Sequence, residues 1–140
     1  MKCLVTGGAG FIGSHVVDRL IVLGHSVVVV DAFLIGKEGN LSQLKGNKNL
    51  SVYRRSVCDN LSDLFLTEKF DVVFHLAAIV SVQQSIANPI GTHDVNVNGT
   101  LNVLNYCKKF GVKRFIFSSS AAIYGDQDTL PLVETMTPNP

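Results

Sequence analysis

The segment TGGAGFIGSH, residues 6–15, limits the possible folds of this chain more than any other segment. It follows a short apolar run, KCLVT (2–6), which is typical of a buried strand. It leads into FIGSHVVDRLIVLG (11–24), where apolar residues recur at helical spacing and Gly24 is expected to end the helix. A glycine-rich turn that joins a buried strand to a helix predicts the first unit of a parallel α/β sheet.

The three glycines of this turn each have a physical use in binding a dinucleotide. Gly7 permits the tight turn, Gly10 lets the backbone approach a pyrophosphate, and Gly13 lets the helix pack closely on the strand. The amino end of the helix then offers free N–H groups and partial positive charge to the phosphates. We therefore predict dinucleotide binding here, and an ordinary tight turn is the alternative.

The rest of the chain continues the alternation of strands and helices. Further strands are predicted over residues 25–33, 49–57, 71–78 and 112–120, and further helices over 60–70 and 89–110. Nearly continuous apolar strands separated by helices indicate a parallel sheet that is covered on both faces. At 140 residues the chain suits one domain, residues 1–140.

Asp31 lies near the end of the second predicted strand, 18 residues after Gly13. An acidic residue about 20 residues beyond the glycines is expected to bind the adenosine ribose of a dinucleotide. A carboxylate accepts hydrogen bonds from ribose hydroxyls and repels a 2′-phosphate, so the sequence favours NAD over NADP.

Composition excludes several other classes of function. The net charge is +1 and no long basic block is present, so we expect neither a nucleic-acid partner nor a membrane surface. The cysteines Cys3, Cys58 and Cys107 form no C-x-x-C pair, which is typical of reduced thiols in the cytoplasm. The histidines show no ligand spacing with the cysteines, and we predict no metal site.

Two predicted strand ends carry further chemical information. HLAA (75–78) places small residues where a bound cofactor would pass, and SSSAAIYG (118–125) places three hydroxyls at the end of the fifth strand. Because side chains alternate along a strand, Ser118 and Ser120 are expected to share one face. Loop capping by these hydroxyls is the alternative.

Taken in order, TGGAGFIGSH, Asp31, HLAA, NVNGTLNVL (96–104) and SSSAAIYG resemble the extended short-chain dehydrogenase/reductase family. Within it, the chain is most similar to NAD-dependent nucleotide-sugar epimerases of the UDP-glucose 4-epimerase type. The resemblance implies a Rossmann-type doubly wound parallel sheet of strand order 3-2-1-4-5, without the C-terminal substrate portion. It also implies a UDP-sugar substrate that is transiently oxidised at C4, as in galactose metabolism, and a homodimer.

The resemblance also implies a role for individual residues. The expected contacts are Gly7, Gly10, Phe11, Ile12 and Gly13 with the pyrophosphate, Asp31 with the ribose, Ser56 and Val57 with the adenine, Leu76, Ala77 and Ala78 along the cofactor, Ser118 near the nicotinamide, and Ser120 as the catalytic serine. The chain departs from the family at Ser56, where Asp is frequent, and at Val80, where several UDP-galactose epimerases carry Lys.

The family's general base is a Tyr with a Lys four residues later. Tyr53, Tyr106 and Tyr124 are followed at that spacing by Val57, Phe110 and Asp128, so none qualifies. In relatives the pair follows a segment similar to ETMTPNP (134–140), and we expect it just beyond Pro140. This 140-residue chain is then the inactive cofactor-binding part of an epimerase. The alternatives are a non-catalytic NAD-binding module and a sibling nucleotide-sugar dehydratase or reductase, and Ala121 and Ala122 argue against the dehydratase.

Overall fold

The five strands form one parallel sheet. A computed structural model describes all residues from 1 to 140. The strands are β1 (Lys2–Thr6), β2 (Ser26–Asp31), β3 (Leu50–Arg54), β4 (Val72–His75) and β5 (Arg114–Phe117). Their order in the sheet is β3-β2-β1-β4-β5, with every neighbouring pair parallel. The order reverses between β1 and β4, which confirms the predicted Rossmann-type, doubly wound sheet.

Five α-helices connect or follow the strands. They are α1 (Phe11–Val22), α2 (Ser62–Glu68), α3 (Val82–Ala87), α4 (Pro89–His93) and α5 (Thr100–Lys109). Short 3₁₀ segments cover Glu38–Leu44 and Ala121–Tyr124. No helix of the structure combines the length and the apolar character that crossing a membrane requires.

The helix predicted over residues 89–110 is one continuous run with a change of winding in its middle. Helix α4 passes through a π-helical segment, Asp94–Gly99, into α5. The π turns fall on Asn96, Asn98 and Gly99, which have weak helix propensity. Helix α3, just before this run, is a further element that the sequence pattern did not predict.

The core has two halves because successive strand residues face opposite sides of the sheet. Leu4, Val28 and Val73 pack with α2 and α5 on one face through Phe65 and Val103. Cys3, Val5, Val27 and Val29 pack against α1 on the other face. The near-continuous apolar runs of β1 and β2 are therefore buried on both sides, as a doubly wound sheet requires.

Strands β4 and β5 end earlier than predicted. Strand β4 ends at His75 and β5 ends at Phe117, so HLAA and the three serines lie mostly in loops. Ser119 has a positive φ of 58°. The prediction that strand alternation places Ser118 and Ser120 on one face is therefore wrong, because the extended conformation has already ended. Strand β5 is an edge strand, and its Phe117 is 59% exposed.

Candidate functional site

A cleft of about 480 Å³ opens at the carboxyl edge of the sheet. The strand register aligns Val30, Thr6, His75 and Phe117 across this edge. The residues that follow these positions therefore meet at one place although they are far apart in sequence. Ligands of open α/β sheets bind in this crevice, at the point where the strand order reverses.

All twelve residues predicted to contact a cofactor line this cleft. They are Gly7, Gly10, Phe11, Ile12, Gly13, Asp31, Ser56, Val57, Leu76, Ala77, Ala78 and Ser118. The predicted catalytic residue, Ser120, is exposed and is absent from the lining. Its hydroxyl accepts a hydrogen bond from the backbone N–H of Ala122 at 3.1 Å and caps the second 3₁₀ segment. The roles of these residues in binding and catalysis stay predictions.

A larger cleft, of about 540 Å³, lies beside the edge strand β3. It is lined by Phe33, Leu41 and Arg54, among others, and by none of the predicted site residues. It lies away from the switch point between β1 and β4, where a parallel sheet places its ligands. The smaller cleft is therefore the candidate site.

Two glycines of the turn have no room for a side chain. Gly7 has a φ of +69°, and a Cβ on it would lie 2.8 Å from the backbone N of Ala77. A Cβ on Gly13 would overlap the carbonyl oxygen of Gly7 and lie 2.8 Å from the Cα of Gly8. The turn therefore packs against the 76–77 segment on one side and against α1 on the other.

The amino end of α1 points at the cleft with its N–H groups uncapped. Gly10 is the N-cap residue and makes no side-chain capping bond, and the first turn contains no acidic side chain. The first N–H groups of a helix have no partner inside the helix. They are accordingly available for an anion, and the helix dipole favours negative charge there.

Asp31 is buried to 8% exposure at the end of β2 and binds two backbone groups. Its Oδ2 accepts from the N–H of Ala9 at 2.9 Å, and its Oδ1 accepts from the N–H of Phe33 at 2.7 Å. A carboxylate has about four lone-pair sites, so acceptor capacity remains toward the cleft. Asp31 therefore has a structural contact with the glycine turn that the sequence did not reveal.

Val57 contacts the continuous helical run from α4 to α5 on the side away from the cleft. The carboxamide of Asn102 donates to the carbonyl of Val57 at 2.8 Å. A Cβ on Gly99 would lie 2.6 Å from Cγ2 of Val57, so only glycine allows this approach. Ser56, the neighbouring cleft residue, accepts from the N–H of Cys58 at 3.1 Å.

Sequence reasoning assigned no role to His75, which lies directly under the cleft. The imidazole is 2% exposed and stacks near Phe115 and Phe117, with ring centroids 5.5 Å and 6.1 Å away. Both ring nitrogens have hydroxyl partners, Thr6 at 2.9 Å and Thr100 at 3.0 Å. Burial lowers the pKa of His75 from 6.5 to about 4, so the ring is neutral at pH 7. His75 and Thr100 belong to the HLAA and NVNGT motifs, but neither motif indicates that these two residues are in contact.

A profile of the NAD-dependent epimerase/dehydratase family matches residues 3–140. The chain is 39% identical to UDP-glucose 4-epimerase of Caenorhabditis elegans, over 96% of this chain and 42% of that protein. Its structure is similar to that of UDP-glucose 4-epimerase with UDP-glucose from Thermotoga maritima, with a TM-score of 0.85 and 44% identity over 100% of this chain and 45% of that one.

A third comparison concerns a structure solved with a cofactor. UDP-glucose 4-epimerase of Thermus thermophilus, in complex with NAD, has a TM-score of 0.85 and 37% identity over 100% of this chain and 45% of that one. The chain thus spans less than half the length of each of these three proteins.

Proposed function

The chain belongs to the NAD-dependent epimerase/dehydratase family, and from that premise we propose that it is the NAD-binding part of a nucleotide-sugar 4-epimerase. We assign NAD to the cleft at the carboxyl edge of the sheet and a UDP-sugar to the whole protein. The observation that carries the proposal is the convergence of all twelve predicted cofactor residues on this one cleft.

The cleft fits the chemistry of NAD at three places. The uncapped amino end of α1 supplies N–H donors for the pyrophosphate. The Asp31 carboxylate keeps acceptor capacity for the ribose hydroxyls and would repel a 2′-phosphate. Leu76, Ala77 and Ala78 give an apolar wall along which the nicotinamide half would lie.

NAD supplies the hydride chemistry when it is bound, and the chain's own residues bind and orient it. The backbone of the glycine turn fixes the phosphates, and Asp31 fixes the ribose. Ser118 lies at the end of the cleft that is nearest β5, and Ser120 follows it outside the lining. We propose that Ser120 hydrogen-bonds the sugar hydroxyl that loses its proton. No Tyr in this chain has a Lys four residues later, so we assign the general base to another part of the whole protein.

Calorimetry tests the cofactor assignment directly. The 140-residue chain is expected to bind NAD with a dissociation constant below about 1 mM and to bind NADP at least about tenfold more weakly. Absence of NAD binding at millimolar cofactor would refute the assignment. Equal affinity for the two cofactors would refute the role given to Asp31.

An activity assay tests the proposal that the general base lies in another part of the whole protein. The 140-residue chain is expected to show no conversion of UDP-galactose to UDP-glucose in the presence of NAD, because it carries no Tyr–Lys pair. Conversion by this chain would show that another residue is the base. The whole protein is expected to convert the sugar, and NAD binding without any conversion by the whole protein would favour a non-catalytic NAD-binding module.

A further inference from the structure

The hydrogen bonds around His75 define where each proton lies. The hydroxyl of Thr100 donates its one hydrogen to the carbonyl of Asn96 at 2.7 Å, one helical turn back. The oxygen of Thr100 is therefore only an acceptor toward His75 Nε2, 3.0 Å away. The ring must then carry its proton on Nε2.

The other side of the ring follows from this assignment. A neutral imidazole has a single N–H, so Nδ1 of His75 is an acceptor and the hydroxyl of Thr6 donates to it at 2.9 Å. The lone pairs of the Thr6 hydroxyl oxygen are then free for the backbone N–H groups of Leu76 and Ala77, at 3.2 Å and 3.3 Å. The N–H of Leu76 is shared with the backbone carbonyl of Thr6, at 3.1 Å. Every donor in this chain of contacts has an acceptor.

We infer that His75 is a positioning residue for the cofactor cleft: as a fixed Nε2–H tautomer, it orients the Thr6 hydroxyl to receive the N–H groups of Leu76 and Ala77. The inference rests on the proposed function, because those two residues line the cleft assigned to NAD. The opposite tautomer would turn a third N–H donor onto Thr6 and leave Nε2 facing an oxygen that has no hydrogen to give.

The position of residues 76 and 77 matters because the glycine turn rests on them. A Cβ on Gly7 would lie 2.8 Å from both the backbone N of Ala77 and the backbone carbon of Leu76. The two backbones are thus in contact with no space between them. A shift of the 76–77 segment would displace the turn that faces the pyrophosphate.

The tautomer is measured directly on the unmodified chain. Nitrogen NMR of ¹⁵N-histidine-labelled protein at pH 7 separates the two ring nitrogens through their couplings to the ring protons. We expect His75 to be a single Nε2–H tautomer. A protonated Nδ1, or an exchanging mixture of tautomers, would overturn the inference. This measurement requires neither NAD nor a variant.

Substitution of Thr100 tests the effect on binding. Thr100→Val removes the acceptor for Nε2–H at nearly constant volume, whereas Thr100→Ser keeps it. Thr92→Val is the matched control, since Thr92 makes the same bond to a carbonyl one turn back, Asn88 at 2.9 Å, without a histidine. We expect Thr100→Val to bind NAD roughly tenfold more weakly, and the other two variants to stay within about twofold of the unmodified chain.

Amide hydrogen exchange separates this inference from the proposed function. Thr100→Val is expected to shift His75 toward the Nδ1–H tautomer and to speed exchange at Ala77, with or without NAD, because the N–H of Ala77 donates to the Thr6 hydroxyl. Exchange at Leu76 is expected to change less, because its N–H also donates to the Thr6 carbonyl. Unchanged exchange together with unchanged affinity in a folded Thr100→Val chain would overturn the positioning role. If the unmodified chain does not bind NAD, the proposed function fails, and the tautomer and the exchange rates still decide the role of His75. If Thr100→Val does not fold, the tautomer of the unmodified chain decides it.

Discussion

The side chain of Asn96 forms two hydrogen bonds with the backbone of a single residue, Ile79. The N–H of Ile79 donates to Oδ1 of Asn96 at 2.8 Å, and Nδ2 of Asn96 donates to the carbonyl of Ile79 at 2.9 Å. Asn96 lies in the π-helical segment, and Ile79 lines the candidate cleft. Single π turns inside α-helices are frequent at functional sites. Here the π segment supplies the side-chain amide that binds the loop after β4 at Ile79.

We expect Asn96→Ala to lower the free energy of unfolding by about 1–3 kcal/mol, because it leaves two partly buried backbone groups of Ile79 without partners. We also expect weaker NAD binding, because the loop that carries Leu76 to Ile79 loses its outer attachment. Urea unfolding and calorimetry measure the two effects.

Asn98→Ala is the matched control for this prediction. Asn98 lies in the same π segment, but its amide donates to the exposed Asp94 carboxylate at 2.8 Å and touches no backbone of the cleft. Its substitution is expected to change stability by less than about 0.5 kcal/mol. Equal losses for the two asparagines would show that the bond to Ile79 does not determine the effect, since helix propensity alone favours Ala over Asn at both positions.

The sequence predicted the sheet and most of the cleft because these depend on local patterns. Each apolar run, the glycine turn and Asp31 can be recognised from a few neighbouring residues. The β3-β2-β1-β4-β5 order was implied by the family resemblance that these features carry. Residues on the carboxyl edge of a parallel sheet then converge by geometry alone.

The layer beneath the cleft could not be predicted in the same way. The bonds from His75 to Thr6 and Thr100 join residues that are 69 and 25 positions apart. No periodicity records a contact at such separations. The early ends of β4 and β5 also could not be predicted, because the residue types of HLAA and FIFSSS are both compatible with a longer extended strand. Only the structure shows that Ser119, after β5, has a positive φ.

Asp31→Asn is expected to reduce both stability and the preference for NAD. The two carboxylate oxygens accept separately from Ala9 and Phe33, and a carboxamide has only one oxygen to offer. We expect a loss of about 1–3 kcal/mol in the free energy of unfolding and a smaller ratio of NAD to NADP affinity. The exposed Asp126, changed to Asn, is the control for loss of one charge. An Asp31→Asn chain with unchanged stability would contradict the structural contact with the glycine turn.

The stability of the chain is expected to fall as the pH decreases from about 6.5 to about 4. His75 has a pKa near 4 in the folded chain, against 6.5 as its ordinary value, because the ring is buried. Between these values the unfolded chain binds more protons than the folded one. The free energy of unfolding is therefore highest above pH 6.5 and declines toward pH 4. The shift corresponds to about 3 kcal/mol at 1.36 kcal/mol per pKa unit.

Urea unfolding at several pH values checks this expectation. His75→Gln removes the titrating group, so the slope between pH 6.5 and 4 is expected to flatten even though the variant is less stable at every pH. The pKa of the Asp71 carboxyl is lowered from its ordinary value of 3.8, chiefly by the hydrogen bond from the Lys113 side chain. The stability that Asp71 contributes is therefore lost only as the pH falls below that value. An unchanged slope in His75→Gln would show that another group causes the decline.

Gly13→Ala is expected to destabilise the chain by about 3 kcal/mol or more and to abolish NAD binding. Helix propensity alone predicts the opposite, since Ala is favoured over Gly inside a helix by about 1 kcal/mol. The added Cβ would overlap the carbonyl of Gly7 and lie 2.8 Å from the Cα of Gly8. Both neighbours are backbone atoms of the glycine turn, so the overlap is relieved only if α1 moves off the sheet. Overpacking of this kind outweighs helix propensity.

Gly39→Ala, where a Cβ would meet nothing within 4 Å, is the control. Urea unfolding that gives Gly13→Ala a stability equal to that of Gly39→Ala would refute the close packing of helix and turn.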